Sequence, residues 1–288
     1  MDQARLDALT AASKILTLDY PVRPRSRCTL NETPAGPLAD RIAAGHASYG
    51  AVLAEFLTLL PRLTGIAATS TNPAEPHWAN DWIPAFDAIS LYAFVALRNP
   101  VLYLEVGSGT STKFVRKAIS DNGLRTKILS IDPHPRSEID AICDRVIRKP
   151  LEDTDIRVFD FLKEGDVVFF DGSHRALQNS DATVFLTEVM PRIKPGVLVG
   201  IHDIFLPWDY PPEWTRRYYS EQYLLACYLL GGNALRVELP IVYCSHTPVL
   251  HQILDPVWDL PSLDKAVKSG ALFWVTPTSP TIGEAHSR

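Results

Sequence analysis

From Val101 onward the chain alternates short apolar runs with amphipathic stretches, and this alternation constrains its fold more than any other feature. VLYLEVG (101–107) is a continuous apolar run, the signature of a strand covered on both faces. Thr110–Ser120 follows with Phe114, Val115, Ala118 and Ile119 on one helical face, and Asn122-Gly123 closes it. KILSIDP (127–133) is the next strand and RVIRK (145–149) a shorter one, with a helix between them at 136–143. DVVFFDGS (166–173) and VLVGIHD (197–203) are two more strands, separated by a helix over Gln178–Ile193 and the turn Lys194-Pro195-Gly196. Trp214–Leu230 reads as one long amphipathic helix ended by Gly231-Gly232, and LRVELPIVY (235–243) and LFWVTP (272–277) complete the strands. Strand and helix in this order predict a doubly wound, mostly parallel α/β sheet with right-handed crossovers.

The front third is different. Leu38, Ile42, Val52, Leu53, Phe56, Leu57 and Leu60 recur at helical spacing through residues 37–66, where Pro61 ends the run. A second helix spans Ile83–Leu97 and stops at Asn99-Pro100. Residues 1–98 therefore read as an N-terminal arm and helical cap, and residues 99–288 as the α/β core. The arginines of PVRPRSR (21–27) suit a solvated arm better than a site for an acidic partner. The N-terminus, MDQARLDALTAASK, has charges and no apolar h-region, so it is no signal peptide. The longest apolar run near a helix, Tyr223–Leu230, falls far short of the roughly 20 residues a membrane span needs. With 28 basic against 33 acidic residues the chain has no nucleic-acid footprint. Cys28, Cys143, Cys227 and Cys244 form no C-x-x-C pair, which argues against a thiolate zinc site or a disulfide framework. A reducing cytoplasm is the expected compartment.

In open α/β sheets ligands bind at the carboxyl ends of the strands. There the first strand runs into Glu105-Val-Gly107-Ser108-Gly109-Thr110-Ser111-Thr112, where two glycines allow a tight turn and close approach of a ligand. A dinucleotide fingerprint wants a third glycine where Thr112 stands. Four strands end in carboxylates, Glu105, Asp132, Asp171 and Asp203, and such a rim suits a cation better than a diphosphate. Asp132, 23 residues beyond Gly109, is placed to take two ribose hydroxyls. Each acid taken singly is equally readable as a helix cap or turn residue.

These residues resemble the class I S-adenosylmethionine-dependent methyltransferases, within a bacterial small-molecule group carrying D-G-x-H, L-K-P-G-G and H-D. The matching residues are Glu105-Val-Gly-Ser-Gly-Thr-Ser111, Ile131-Asp-Pro133, Phe170-Asp-Gly-Ser-His174, Ile193-Lys-Pro-Gly196 and Ile201-His-Asp203, across roughly residues 78–230. Val197 departs from the pattern, standing where a second glycine is usual. The resemblance implies a Rossmann-like core and S-adenosylmethionine as cofactor. It places Glu105, Gly107 and Gly109 along the methionine portion, Asp132 on the ribose, and Asp171 and Ser173 near the sulfonium and amino group, with Ser108 and Ser111 of the same loop also cofactor-binding. Some relatives bind Mg2+; Asp171 and Asp203 are the corresponding ligands here, although His202 replaces an acid and magnesium prefers oxygen.

Methyl transfer to oxygen needs a group to remove the acceptor's proton, and a neutral imidazole suits that task. His202, beside Asp203, is the first candidate base and His174 the second; either could instead be a structural histidine bonding a carbonyl. Trp208, Tyr210 and Trp214, in the aromatic stretch after His202-Asp203, could form an acceptor wall or could pack against the N-terminal helices. They could also serve a homo-oligomer interface. His77, Trp78, Asp81 and Trp82 could close the site from the front segment. The expectation is a small-molecule O-methyltransferase, with a nicotinamide oxidoreductase and a non-catalytic cofactor-binding scaffold as the other readings.

Overall fold

The computed structural model describes residues 3–11, 15, 20–136 and 138–278. Seven strands form one sheet: β1 (Leu102–Val106), β2 (Lys127–Ile131), β3 (Arg145–Ile147), β4 (Val167–Phe170), β5 (Leu198–Ile201), β6 (Leu235–Pro240) and β7 (Phe273–Pro277). Their order is β3-β2-β1-β4-β5-β7-β6. Only β7 runs against the others, pairing antiparallel with both β5 and β6. The sheet is therefore doubly wound and Rossmann-like, with strand order reversing between β1 and β4, where such sheets open a crevice.

Period-2 alternation explains how the sheet is covered on both faces. Tyr103, Phe169, Leu198 and Trp274 point to one side, into a core shared with α3 (His46–Phe56), α5 (Ala85–Arg98) and α6 (Thr110–Asp121). Leu104, Val106, Phe170 and Val275 point to the other, beneath α7 (Asp181–Val184) and α8 (Glu221–Leu230). The front helices, with the short α4 (Leu60–Leu63), are thus one layer of the core rather than a lid set on it. Trp274 donates its indole N–H to Ser90 on α5 at 2.9 Å, so the one polar atom of this buried ring is satisfied.

Several elements differ from the sequence expectation. The helix expected over 37–66 breaks at Ala44-Gly45 into α2 (Pro37–Ala43) and α3, and it continues past Pro61, which sits in the first turn of α4 where its missing N–H costs nothing. A helix α1 (Gln3–Ala11) lies within the polar lead. Among the described residues of the stretch 136–143 there is a single 3-10 turn, Asp140–Ile142. The segment after Ser180 stays helical to Arg192 but changes its winding, widening at Phe185–Val189 and tightening at Met190–Arg192 around Pro191. The long helix expected at 214–230 is two pieces, the 3-10 segment Pro212–Arg217 and α8, separated by Tyr218 in a left-handed conformation. β6 stops at Pro240, and α9 (Ile241–Ser245) follows where the sequence suggested more strand.

Among the described residues no single helix is long and apolar enough to cross a membrane. The bent pair α2 and α3–α4 passes by length and composition, yet its Ile42, Leu53, Phe56 and Leu63 are fully buried in the core.

Candidate active site

The carboxyl ends of β1, β2 and β4 carry a cleft of about 350 Å³ lined by Gly107, Ser108, Asp132, Asp171, Ser173 and Asp181, among others. The glycine loop is fitted closely to its neighbour strand. Gly107 has φ +78°, and a Cβ there would stand 1.9 Å from the Asp171 carbonyl oxygen. No side chain fits, so the loop after β1 can hug β4 only as glycine. Asp132 clasps the same loop: its carboxylate accepts the Ser108 N–H at 2.8 Å and the His134 N–H at 2.8 Å. Ser108 Oγ lies 2.8 Å from Ser130 Oγ. On the far wall, Asp181 accepts the Ser173 N–H at 2.7 Å and its hydroxyl at 2.5 Å.

Glu105 takes no part in this lining, and neither do Gly109 and Ser111. It lies one residue before the end of β1, so its side chain shares the face of Tyr103, under α6. There it is fully buried and accepts from Thr112 at 2.5 Å, Tyr103 at 3.3 Å and Ser111 at 3.4 Å. Burial, only partly offset by those donors, pushes its carboxyl up to about 8. Glu105 ties α6 to β1, and Thr112, which also accepts the Gly109 N–H at 3.1 Å, completes the staple. Three of the four strand-end carboxylates reach the rim.

A second chamber, about 520 Å³, opens beyond β4 and β5, walled by Asp171, His174, His202 and Asp203 on one side and by Trp82 and Trp214 on another. It shares Asp171 and Arg136 with the cleft, so the two cavities meet there. His174 and His202 face the two aspartates in a ring. His174 Nε2 is 3.3 Å from Asp171 and 3.4 Å from Asp203, and His202 Nδ1 is 3.4 and 3.5 Å from the same pair. Each imidazole is anchored behind by a fully buried acid. His174 Nδ1 meets Glu221 at 2.5 Å; His202 Nε2 meets Asp87 at 3.1 Å, and Asp87 also accepts the Ala271 and Leu272 N–H groups.

Burial opposes charge on both imidazoles, but the facing acids outweigh it. Glu221 and Asp171 raise His174 well above its ordinary value, and Asp171 and Asp203 do the same for His202. Burial likewise works against an ionised Asp171, yet His202 and His174 hold it well below the usual carboxylate range. Burial raises Asp203, and it raises Glu221 to about 7 despite its contact with His174. Two residues of the ring, His174 at φ +62° and Asp203 at φ +56°, sit in the left-handed region, a strain that clusters at functional sites. His202 Nδ1 is buried without a hydrogen-bond partner; buried polar atoms of this kind call for one.

The two carboxylates expected to hold Mg2+ do not present a cation site. The imidazoles stand between them, and among the described residues no group of three or more His, Cys, Asp or Glu is arranged to hold a metal ion. Nitrogen where magnesium would keep oxygen ligands does not fit that ion.

Of the aromatic residues singled out, Trp82 and Trp214 line the chamber and Trp208 and Tyr210 do not. Trp208 is buried, donating its indole N–H to the Glu32 carbonyl at 2.9 Å. Tyr210 is buried too, edge-on to Tyr219 and Tyr223. Both anchor the N-terminal arm: Ser26 Oγ donates to the Tyr210 carbonyl at 2.5 Å, and Arg27 N–H to Asp209 at 2.8 Å. The arm at 21–27 is thus docked at its end rather than free. Trp78 is core, packed on Phe114, whereas Asp81 lines the chamber beside Trp82.

Sequence reasoning missed Asp87, Glu221, Asp181 and Arg136. Asp87 had a signal, since it is the one acid inside the apolar helix AFDAISLYAFVALR. Glu221 was hidden by the continuous helix expected across 214–230.

No curated protein sequence matches the chain. Among solved structures, a putative O-methyltransferase from Klebsiella pneumoniae is 12% identical, with a TM-score of 0.44, covering 84% of this chain and 97% of that one. The S-adenosylhomocysteine-bound methyltransferase PaMTH1 of Podospora anserina is 13% identical at TM-score 0.41, covering 86% of this chain and 100% of its own. The O-methyltransferase TomG of Streptomyces achromogenes, involved in tomaymycin synthesis, is 14% identical at TM-score 0.39, covering 68% and 82%. Residues 104–204, which run from β1 through the His202-Asp203 corner, match the family model described as a methyltransferase domain.

Proposed function

We propose that the protein transfers a methyl group from S-adenosylmethionine to a hydroxyl oxygen of a small-molecule acceptor. The observation that carries this reading is the meeting of two cavities at Asp171: a cleft over the glycine loop and Asp132, and a chamber walled by two acid-anchored imidazoles. The family match over 104–204 supports methyl transfer as the chemistry. The cleft suits the proposed cofactor, because Gly107 leaves the loop without a side chain and the carboxylates lining it favour a cation. When bound, S-adenosylmethionine supplies a methyl carbon activated by cationic sulfur, so that the oxygen–carbon bond forms as the carbon–sulfur bond breaks and its electron pair stays on sulfur.

The chain's residues do the rest. Asp132 takes the ribose hydroxyls on lone pairs beside those already engaged by Ser108 and His134. Asp171, ionised at neutral pH, faces the positive end. His202 offers Nδ1 to the acceptor hydroxyl while Asp87 fixes Nε2, the arrangement in which a buried acid sets the tautomer of a general base. His174, held by Glu221, is the second imidazole of the ring. The facing acids favour the protonated form of both imidazoles, so His202 must shed that proton before it can act. A cation beside Asp171 favours that loss by competing for the same carboxylate. The chamber is open rather than filled, which favours an enzyme over a scaffold.

Calorimetric titration with S-adenosylmethionine, with NAD as control, tests the reading: micromolar binding of the first and none of the second is expected. His202→Ala should keep that binding and lose turnover in an acceptor screen. Loss in His174→Ala alone would move the base to His174, and failure of the methyl donor to bind the folded protein would sink the proposal.

A further inference from the structure

The chamber has a polarity gradient that the proposed chemistry does not use. Its inner end holds the imidazoles and aspartates, with side-chain exposures of 5% and 6% for His174 and His202 and 16% and 15% for Asp171 and Asp203. Its outer end holds two exposed arginines, each laid on an indole that also lines the chamber. The Arg136 guanidinium sits 4.5 Å from the Trp82 ring centroid, and the Arg217 guanidinium 3.8 Å from that of Trp214. Arg217 also lies 5.6 Å from the Tyr219 ring. By contrast Arg116, Arg148, Arg157, Arg192 and Arg236 each pair with a carboxylate; Arg136 and Arg217 make no such ion pair among the described residues.

Resting on the methyl-transfer reading, we infer that the acceptor is a planar hydroxylated ring carrying an oxyanion, its hydroxyl directed to the histidine end and its carboxylate or phosphate to Arg136 and Arg217. Stacking on an aromatic face uses the guanidinium's flat surface and leaves its edge N–H groups free, which is the fork that recognises a carboxylate or phosphate. Trp82 and Trp214 give flat apolar faces beside those forks, so a ring between them meets aromatic surface while its charged substituent meets the arginine edges. The other end offers an anion no free cationic edge, because each imidazole there already faces Asp171 and Asp203 and is backed by Glu221 or Asp87. A molecule polarised in this way binds in one direction only, and that direction brings its hydroxyl to His202. Cationic acceptors such as arylalkyl amines meet two uncompensated guanidinium groups at the entrance and are disfavoured.

The test measures binding, independent of turnover. The full-length protein saturated with S-adenosylhomocysteine is titrated with 4-hydroxybenzoate, its methyl ester, 4-hydroxyphenyl phosphate and tyramine, followed by quenching of tryptophan fluorescence and by ligand-observed NMR. At least one of the two anions should bind about tenfold or more tighter than the ester and the amine, the usual scale for a charge-assisted contact. Which anion binds tighter distinguishes a carboxylate from a phosphate acceptor. The double variant Arg136→Gln/Arg217→Gln, changed only at exposed positions, should erase the preference; because Arg136 also borders the cleft, Arg217→Gln alone, which leaves the cleft lining intact, should weaken the preference at unchanged cofactor affinity. Equal binding of the ester, preference for the amine, discrimination that survives the double variant, or no binding of any probe at millimolar concentration each overturns the inference. Methyl transfer without anion preference defeats this inference alone. Anion preference without cofactor binding defeats the methyltransferase reading instead.

Discussion

Replacing Gly107 by alanine asks whether the loop after β1 is built to lie against β4. Two costs are separable. The first is conformational: at φ +78° an L-residue is strained by about 1–2 kcal/mol. The second is steric. The new Cβ would stand 1.9 Å from the Asp171 carbonyl oxygen, where ordinary contact begins near 3.4 Å. The loop and the strand end must part by about 1.5 Å, and neither atom is the far end of a flexible side chain. The Asp171 N–H that donates to the Val106 carbonyl at 2.8 Å lies in the path of that movement. Overpacking of this kind costs about 1–3 kcal/mol, so Gly107→Ala should lose roughly 2–5 kcal/mol. At about 2–4 °C per kcal/mol for long chains, its Tm should fall by roughly 4–20 °C. Gly123→Ala is the control, since Gly123 has φ +60° but nothing within 4 Å of its would-be Cβ, so only the first cost applies. Calorimetric melting of both variants, followed by titration with S-adenosylmethionine, reads out stability and the cleft together. If Gly107→Ala melts no lower than Gly123→Ala and binds the methyl donor as the parent does, the close-approach argument is wrong.

Other expectations follow from the same geometry. Asp132→Asn keeps the shape of the clasp but loses its charge and should weaken S-adenosylmethionine binding about tenfold or more, the scale of a charge-assisted hydrogen bond; unchanged affinity by calorimetry would remove Asp132 from the ribose. Binding of the cationic methyl donor should release protons near neutral pH, because a positive charge beside Asp171 undercuts what raises His174 and His202. The heat of binding should therefore depend on buffer ionisation enthalpy more for S-adenosylmethionine than for S-adenosylhomocysteine, and a buffer-independent heat would refute it. Chelation or added Mg2+ should leave cofactor affinity and turnover unaltered, and a strict magnesium requirement would overturn the reading of the ring. Glu105, raised from 4.5 to about 8, keeps its proton in the folded state over a window where the unfolded chain gives it up. The native state then holds more protons, stability falls as pH rises through that window, and Glu105→Gln should flatten part of the fall in Tm. Identical pH slopes for variant and parent would discard the buried neutral carboxyl.

The sheet was legible because its strands are buried on both faces, which leaves continuous apolar runs such as VVFF at 167–170 that few other arrangements produce. Asp132, Asp171 and Asp203 were legible as rim residues because each directly follows a strand or lies one corner beyond it. Glu105 was misplaced by one step of the pleat, which turns a side chain from the ligand side to the core. The break at Tyr218 was invisible for a related reason. Composition across 214–230 favours helix throughout, and only tertiary contacts, the Ser220 and Glu221 N–H groups donating to the His174 carbonyl at 2.8 and 3.3 Å, make the chain restart there. That restart puts Glu221 behind His174. Trp208 and Tyr210 were readable equally as wall or as packing, and their polar atoms decided it: the Trp208 indole N–H and the Tyr210 carbonyl meet the N-terminal arm, a partner about 180 residues distant in sequence.

The charge balance of the rim bears on which cofactor the cleft prefers. Around the ring stand Asp87, Asp171, Asp203 and Glu221 against His174 and His202. Even with both imidazoles protonated, full ionisation of the four acids would leave two negative charges among buried side chains, and burial works against that by raising Asp203 and by raising Glu221 to about 7. A diphosphate placed against such a ring would add negative charge where burial already opposes it, and the cleft lining brings Asp132, Glu152 and Asp181 besides. A sulfonium with its ammonium group does the opposite: it lets the acids ionise and the imidazoles release protons, one of which must leave before His202 can accept another. On the proposed reading, the excess of acid over base therefore has a use at both stages, drawing the cation into the cleft and leaving, once it is bound, an imidazole free to take the acceptor's proton.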